Sequence, residues 1–262
     1  MGAVPIFVIS LADALDRRRA ISNRLASANL PFLFLDAVDV RHCEATISIP
    51  QIDRRAFVSD TAIACTLSHY NALKMVISSG SKWALIIEDD AIIPKDFASL
   101  IAKAVSLDCD IVKFEGADPS FSVCQGRIGS YEYVIPMSVT VGAAAYLITS
   151  EAASRFLALP TLDKAIDVLF DDYRLALKVY EVMPRPVAQD WDSFKSSNVP
   201  TRSPLKMHFF VRILNSMRKR INTIRIYGSA IALKLFLQKY AGLPAGKHQC
   251  SGGEKSEPRS SL

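Results

Sequence analysis

The hydrophobic and polar positions of the chain follow two periods, one typical of strands and the other typical of helices. Short apolar runs bounded by turn residues predict strands at Val4–Ser10, Phe32–Leu35, Trp83–Ile87, Asp110–Phe114 and Ala143–Ile148. Apolar residues spaced three and four apart predict helices at residues 13–29, 60–79, 96–106, 161–179 and 205–241, and another after Ser150. Because strands and helices alternate, the pattern predicts an α/β fold with a mixed, mostly parallel sheet flanked by helices.

Composition divides the chain into three parts. Residues 1–204 contain the predicted strands and are interpreted as one globular domain. Residues 205–241 are interpreted as a basic amphipathic helical extension, and residues 242–262, rich in Gly, Ser, Pro and Lys, are predicted to be disordered. With 262 residues, 50% of them hydrophobic, the chain can bury a substantial core, which excludes wholesale disorder.

Charge is unevenly distributed along the chain. The net charge is +5, yet residues 193–253 contain eleven Lys and Arg and no acidic residue, whereas residues 1–192 are acidic overall. A basic segment on an acidic body is not typical of nucleic-acid binding and predicts a different anionic partner. No apolar run is long enough to span a membrane, and no basic region precedes the N-terminal apolar stretch, so the sequence predicts a cytoplasmic protein.

The basic segment has the pattern of a helix that lies on a membrane surface. On a helical wheel, one apolar stripe is bordered and backed by arginine and lysine, and its members are Phe210, Ile213, Leu214, Met217, Ile221 and Ile224. This arrangement predicts that residues 205–241 hold the protein on the anionic inner face of the cytoplasmic membrane. The alternative is a helix packed on the domain with its basic face in water.

Three carboxylates, Glu88, Asp89 and Asp90, directly follow the apolar run at Trp83–Ile87. In open α/β sheets, ligands bind at the carboxyl ends of the strands. Three like charges at one strand end repel each other, and a divalent cation such as Mn²⁺ or Mg²⁺, which prefers oxygen ligands, would relieve that repulsion. The alternative is a solvated turn.

Six short motifs occur one after another over residues 5–200. They are Val8-Ile9-Ser10-Leu11 with Arg17-Arg18, the run 34–39, Cys65-x-x-Ser68-His69, Ile86-Ile87-Glu88-Asp89-Asp90, the run 142–150 with Ala152-Ala153, and Asp167. Together they resemble glycosyltransferase family 25, whose bacterial members build lipopolysaccharide and lipooligosaccharide. The resemblance implies a GT-A fold, a nucleotide-sugar donor, Mn²⁺ and inversion at the anomeric carbon, with galactose or glucose transferred.

The resemblance assigns roles within the acidic cluster. If strand geometry continues, alternation places Glu88 and Asp90 on one side, as in the Asp-x-Asp arrangement of GT-A enzymes. We therefore assign Asp90 as the main ligand of Mn²⁺ (or Mg²⁺), which would neutralise the diphosphate leaving group. Glu88 is assigned to a metal-bound water or to the donor ribose, and Asp89 to the donor site.

Other donor contacts are assigned to the ends of the first two strands. Ser10 and Leu11 lie where a uracil could rest, and Arg18 is favoured among three consecutive arginines to grip the donor's base or phosphates. Asp36 suits a ribose contact, and a loop cap explains it equally well.

His69 precedes the acidic strand on the predicted 60–79 helix. The resemblance implies that it lies near the donor or the metal, whereas a lone helical histidine is otherwise more often structural. Cys65 is interpreted as core packing.

An inverting transfer also requires a carboxylate base for the acceptor hydroxyl. Asp163, Asp167 and Asp171 are spaced four apart, so on the predicted 161–179 helix they share one face, with Asp172 beside them. The resemblance favours Asp167 as the base, with Asp171 or Asp172 as substitutes. The alternative is a solvated acidic stripe paired with neighbouring basic residues.

The sequence thus predicts an inverting, metal-dependent hexosyltransferase. Its expected partners are a UDP-hexose donor, a glycolipid or oligosaccharide acceptor of a growing surface glycan, and a membrane surface, but not nucleic acid. Two alternatives remain. One is a catalytically silent membrane-docking homologue that binds nucleotide. The other is a metal-dependent nucleotidyl or phosphoryl transferase, for which the chain lacks a glycine-rich phosphate loop.

Overall fold

The computed structural model describes residues 4–42, 51–119, 121–190 and 209–240. The tail predicted at residues 242–262 lies outside the described residues. The strands are β1 (Ile6–Ser10), β2 (Leu33–Asp36), β3 (Gln51–Ile52), β4 (Trp83–Glu88), β5 (Ala91–Ile92), β6 (Ile111–Lys113), β7 (Ser122–Ile128), β8 (Tyr131–Pro136), β9 (Ala145–Thr149), β10 (Thr161–Leu162), β11 (Val179–Met183) and β12 (Ala188–Gln189). The helices are α1 (Leu15–Ser27), α2 (Asp60–Ser78), α3 (Phe97–Ala104), α4 (Ser150–Leu157), α5 (Ile166–Leu169), α6 (Phe209–Tyr227) and α7 (Ser229–Tyr240).

The central sheet has eight strands in the order β2-β1-β4-β9-β6-β11-β8-β7. Strands β9 and β8 run antiparallel to their neighbours, and the other six strands point the same way. Two short ladders, β3 with β10 and β5 with β12, lie outside this sheet. The predicted α/β class with a mixed, mostly parallel sheet is therefore confirmed.

Hydrophobic cores cover both faces of the sheet. On one face, α2 and α4 pack through residues such as Leu67 and Phe156. On the other face, α1 and α3 pack through residues such as Leu25 and Phe97. Strands such as β4 and β9 are buried along nearly their whole length because helices cover them on both sides. This explains why they appear in the sequence as continuous apolar runs.

The helix predicted at residues 161–179 is wrong. The segment instead contains β10, the single turn of α5 and an irregular stretch, and β11 begins at Val179. The Asp172 carboxylate accepts a hydrogen bond from the Arg174 backbone N–H at 2.9 Å, and Ala176 adopts a φ of 49°. A local side-chain bond and a left-handed residue both compete with helix continuation, which periodicity alone does not register.

The β7–β8 hairpin was not predicted either. Its turn contains Gly129 with a φ of 64°, the left-handed conformation that favours glycine. Strand β8 then pairs with β11, so the hairpin extends the sheet beyond β11.

The periodicity of residues 205–241 corresponds to α6 and α7, which Gly228 separates with a φ of 85°. The Tyr227 hydroxyl accepts from the Val179 N–H at 2.7 Å and donates to the Val179 carbonyl at 3.1 Å. Leu235 of α7 is buried against Val123 and Ile135 of the hairpin. Within the described ranges, no helix combines the length and the apolar character needed to cross a bilayer.

Candidate functional site

The carboxyl ends of β1, β2 and β4 meet at one edge of the sheet because these three strands are parallel neighbours. Ser10 pairs in register with Asp36, and Ile9 pairs with Glu88. The edge therefore brings together Ser10, Asp36 and the turn at residues 88–90. This is the juxtaposition expected of a ligand site in an α/β sheet.

Glu88 faces helix α2. Its Oε1 lies 2.9 Å from His69 Nε2 and 3.9 Å from Cys65 Sγ. The other ring nitrogen of the completely buried His69 lies 3.0 Å from the hydroxyl of Tyr146, which is also completely buried. The predicted donor-site histidine is thus held between the sheet and the acidic turn.

Cys65 is exposed to solvent, so its interpretation as core packing is wrong. It precedes His69 by one helical turn, on the face of α2 that looks onto the strand end. Dense protein surroundings raise the pKa of the Cys65 thiol well above its usual range, and the charges of Glu88, Asp167 and Asp90 add to the rise. The charges of all three carboxylates therefore act on this thiol.

Asp89 points away from Glu88, as strand alternation predicts. Its carboxylate accepts a hydrogen bond from the Ser10 hydroxyl at 2.6 Å and lies 3.2 Å from the Arg17 guanidinium. Burial raises the pKa of Asp89, and Ser10 and Arg17 oppose that shift. Asp89 consequently links the end of β1 to the acidic turn through its hydrogen bond with Ser10. The arginine that pairs with Asp89 is Arg17, not Arg18.

Asp90 is the most electrostatically perturbed carboxylate of the turn. Burial raises its pKa to about 7, and the neighbouring charges of Glu88 and Asp89 contribute to the rise. Gln189 Nε2 lies 3.4 Å from one carboxylate oxygen, whereas the other, Oδ1, is buried with no hydrogen-bond partner among the described residues. The backbone N–H of Asp190 donates a hydrogen bond to the Asp90 carbonyl at 2.9 Å.

Arg18 holds the backbone of the β1 exit. Its guanidinium donates to the carbonyls of Ser10 and Leu11, each at 3.1 Å, and pairs with the exposed Asp36 carboxylate. It also lies 4.7 Å from the centre of the Phe34 ring. The predicted donor residues Ser10, Leu11, Arg18 and Asp36 are thus brought together at the edge.

The carboxylates at residues 163–172 do not share a helix face, contrary to the sequence prediction. Asp167 accepts hydrogen bonds from the Gly142 N–H at 3.0 Å and from the Val168 N–H at 2.8 Å. Asp171 pairs with Lys219 of α6; burial raises the pKa of Asp171, and Lys219 opposes the rise. The structure therefore separates the two predicted catalytic carboxylates, with Asp167 near Cys65 and Asp171 under α6.

Asp172 is a structural carboxylate. Its side chain is completely buried and pairs with Lys164 and Arg174, and Arg174 also reaches Asp163. Burial opposes the shift, but hydrogen bonds from Arg174 and Lys164 hold the pKa of Asp172 below its usual range.

Sequence reasoning missed two charged residues at the carboxyl end of β6, namely Lys113, the last residue of the strand, and Glu115, two residues further on. Burial lowers the pKa of Lys113 to about 8, and its ammonium group donates to the Thr140 carbonyl. Glu115 accepts from the Ala144 N–H at 3.1 Å, and burial raises its pKa. A signal was available for Glu115, because it follows the predicted strand at 110–114 just as Glu88 follows the apolar run at Trp83–Ile87.

A divalent cation fits the Asp90 side of this edge. Asp90 offers a buried oxygen that no described residue satisfies, and Glu88 and Asp89 add negative charge beside it. Carboxylate oxygens are the ligands that Mn²⁺ and Mg²⁺ prefer. A cation there would replace the proton that burial otherwise favours on Asp90.

The second notable surface is formed by α6 and α7. A cavity of about 670 Å³ separates them from the body, with Lys219 and Phe236 among its lining residues. The apolar side chains Met217, Ile221 and Ile224 of α6 are at least half exposed. Ile224 lines the cavity, whereas Met217 and Ile221 lie outside its lining. Of the predicted apolar stripe, Met217 and Ile221 thus face away from the body and Ile224 faces the cavity, while the side chains of Phe210, Ile213 and Leu214 lie outside the described part of the chain.

This architecture, with a carboxylate turn at the exit of a central strand, is typical of α/β enzymes, which bind ligands at the carboxyl ends of their strands. The family model described as glycosyltransferase family 25 (LPS biosynthesis protein) matches residues 3–170. The chain therefore belongs to glycosyltransferase family 25, and it is a glycosyltransferase of lipopolysaccharide or lipooligosaccharide biosynthesis.

Curated relatives agree with this placement. The chain is 27% identical over 223 residues to the lacto-N-neotetraose biosynthesis glycosyltransferase LgtE of Neisseria meningitidis serogroup B, covering 76% of this chain and 79% of that protein. It is 30% identical over 187 residues to a putative glycosyltransferase of Haemophilus influenzae, covering 68% and 66%. It is 26% identical over 262 residues to the lipooligosaccharide biosynthesis protein lic2B of Haemophilus influenzae, covering 92% and 97%.

Proposed function

We propose that the protein transfers a hexose, galactose or glucose, with inversion from a UDP-hexose to a lipopolysaccharide or lipooligosaccharide acceptor, and that the reaction depends on Mn²⁺ or Mg²⁺. The observation that supports the cation most directly is the buried oxygen of Asp90, which lies among carboxylates and has no hydrogen-bond partner in the described part of the chain. Bound there by Asp90 and Glu88, the cation would neutralise the charge that develops on the diphosphate.

The donor would lie along the edge formed by β1, β2 and β4. Ser10 and Leu11 mark the β1 exit, and Asp36 is 70% exposed there and open to a ribose. The contacts of Arg18 with the Ser10 and Leu11 carbonyls fix the shape of this exit before a ligand arrives. Such preorganisation reduces the entropy lost on binding.

In the proposed reaction, the acceptor hydroxyl oxygen forms a bond to the anomeric carbon while the bond to the nucleoside diphosphate breaks. Asp167 takes the hydroxyl proton. Its two backbone hydrogen bonds hold the carboxylate in one orientation, and it is close enough to Cys65 to raise the pKa of that thiol. Asp171 is the second choice because its ion pair with Lys219 would have to break first.

Calorimetry of UDP binding with and without Mn²⁺ tests the donor site. We expect Mn²⁺-dependent UDP binding in the wild-type protein and its loss in Asp90→Asn. Asp16→Asn is the matched control, since Asp16 is an exposed carboxylate on α1. Wild-type affinity in Asp90→Asn would remove Asp90 from the metal site.

Turnover then separates the remaining alternatives. Release of the sugar from a nucleotide-sugar donor, dependent on Mn²⁺, supports the transferase. Binding of UDP and Mn²⁺ without transfer to any acceptor would favour the catalytically silent homologue. Release of pyrophosphate from a nucleoside triphosphate would favour the nucleotidyl transferase.

We further propose that the protein acts at the inner face of the cytoplasmic membrane, held there by residues 205–241. Support comes from Met217 and Ile221 of α6 and Leu237 of α7, which are exposed and lie outside the lining of the cavity. Clustered exposed apolar residues are typical of interaction surfaces, and the segment's positive charge suits an anionic membrane. A glycolipid acceptor would then be reached on the same surface.

A further inference from the structure

Three side chains of different chemistry converge beside the proposed donor site. Cys65 and His69 are one turn apart on α2, and Glu88 ends β4. One ligand atom from each lies within 4.8 Å of the other two. We propose that Cys65, His69 and Glu88 form a separate cation site that binds a thiophilic divalent metal of the Zn²⁺ class. The site adjoins the proposed donor site through Glu88, but it does not require the proposed transfer reaction to be correct.

The distances are close to those of a coordination shell. Zinc bonds of about 2.0–2.3 Å place tetrahedral ligands about 3.3–3.8 Å apart. The Glu88 oxygen lies 3.9 Å from Cys65 Sγ and 2.9 Å from His69 Nε2. Cys65 Sγ and His69 Nε2 lie within 4.8 Å of each other, so side-chain shifts of up to about 1 Å would bring the three atoms to these separations.

Tyr146 orients the histidine as such a site requires. Its hydroxyl lies 3.0 Å from His69 Nδ1, and the two rings stack with centres 5.7 Å apart. When Nδ1 carries the proton and donates a hydrogen bond to the Tyr146 hydroxyl, Nε2 is unprotonated and directs its lone pair at Glu88 and Cys65. Metal-binding histidines are commonly fixed in this way through their second nitrogen.

The donor set also distinguishes this site from the one proposed at Asp90. Thiolate and imidazole ligands select zinc-class metals, whereas carboxylates alone suit Mn²⁺ and Mg²⁺. Three protein ligands leave a fourth position open, and the exposure of Cys65 gives solvent access to it. Because Glu88 contributes to both sites, we expect Zn²⁺ to weaken Mn²⁺-dependent UDP binding.

Titration of the metal-free full chain with Zn²⁺, in the absence of nucleotide, tests the proposal. We expect a site that Cys65→Ser weakens at least about tenfold, and that Tyr146→Phe weakens less. Cys109→Ser is the matched control because Cys109 is another free cysteine but lies away from this cluster. Titration with Co²⁺ should also give a thiolate-to-metal absorption band in the wild-type protein and not in Cys65→Ser.

The proposal is overturned if Cys65→Ser binds Zn²⁺ as tightly as the wild-type protein, or if the wild-type Co²⁺ complex lacks the thiolate band. Serine is nearly isosteric with cysteine, and circular dichroism confirms whether the variant is folded. Asp90→Asn separates this proposal from the proposed function. It should lose Mn²⁺-dependent UDP binding and keep Zn²⁺ binding, so that either site can fail without the other.

Discussion

At the scale of single residues, Asp90 links the proposed function to stability. Its pKa of about 7 in the folded state lies above the ordinary 3.8, so the folded protein holds this proton more tightly than the unfolded chain does. Without a cation, the stability associated with protonated Asp90 is full at pH values below about 4 and is lost as the pH rises towards 7. When no metal is bound, the ionised Asp90 therefore makes the folded protein less stable at neutral pH than at acidic pH.

Asp90→Asn should remove this pH dependence, because asparagine stays neutral. In urea unfolding with EDTA, we expect the variant to match the wild-type protein near pH 4 and to exceed it by up to about 4 kcal/mol near pH 8. Mn²⁺ should stabilise the wild-type protein at pH 8 and not the variant. A difference in stability that does not change with pH would contradict the raised pKa of Asp90. Asp16→Asn, at an exposed carboxylate, is the control, and its effect on stability should not depend on pH.

Asp167 and Asp171 differ in their partners, and transfer kinetics should separate them. We expect Asp167→Asn to keep UDP binding and to lose transfer by about 10²–10⁴-fold, the usual effect of removing a general base. Asp171→Asn should reduce transfer much less, because Asp171 is engaged with Lys219. The reverse result would assign the base to Asp171, and normal transfer in both variants would place the base elsewhere.

At the scale of elements, the close approach of two segments depends on Gly142. Its φ is 107°, and a Cβ there would lie 2.5 Å from the Glu115 carboxylate. The Gly142 N–H is also a donor to Asp167, so the glycine joins the β6 exit to the proposed base. Any side chain at this position must displace one of these groups.

Gly142→Ala should therefore destabilise the protein by about 1–3 kcal/mol, from backbone strain together with the clash. Gly80→Ala is the matched control, since Gly80 also has positive φ, of 66°, but no neighbouring atom within 4 Å of a built Cβ. We expect only Gly142→Ala to reduce transfer as well. Equal losses of stability and normal transfer in both variants would show that Gly142 does not position Asp167.

The elements also show where sequence reasoning succeeds and fails. Strands β1, β4 and β9 were predicted because helices bury both faces and leave uninterrupted apolar runs. The 161–179 helix was wrong because the bonds of Asp172 and the left-handed Ala176 decide that segment's conformation. The acidic strand end was predictable from the chain, but the contacts of Glu88 with α2 were not, since they join residues distant in sequence.

At the scale of the whole molecule, the orientation of α6 bears on the membrane proposal. A helix serving only to cover the body would turn its apolar stripe inward, as the alternative reading of the sequence required. Instead Lys219 of α6 contacts the body through Asp171 and Ser138, whereas Met217 and Ile221 face outward. Arg218 also donates to the hydroxyl of Tyr173 at 2.9 Å. The charges at Arg218 and Lys219 thus contribute to packing, and charge reversal there would disturb the body as well as any membrane contact.

The outward side chains provide the cleaner test of membrane binding. We expect the wild-type protein to float with liposomes containing anionic lipid, and to do so less at high salt, because salt screens the basic segment. Met217→Asn with Ile221→Asn should reduce flotation, since burying such side chains in the bilayer boundary drives interfacial binding. Adding Arg225→Glu, at an exposed position, to this double variant should reduce flotation further with anionic liposomes and make little difference with neutral ones.

Met75→Asn with Ile77→Asn is the matched control, because these residues are similarly apolar and exposed but lie at the end of α2. That variant should float like the wild-type protein. Both double variants should transfer sugar normally to a soluble acceptor, because neither changes the proposed site. If the Met217 and Ile221 variant floats as well as the wild-type protein, α6 is not the membrane anchor. If it loses transfer to the soluble acceptor as well, the outer face of α6 supports the catalytic body rather than a membrane contact.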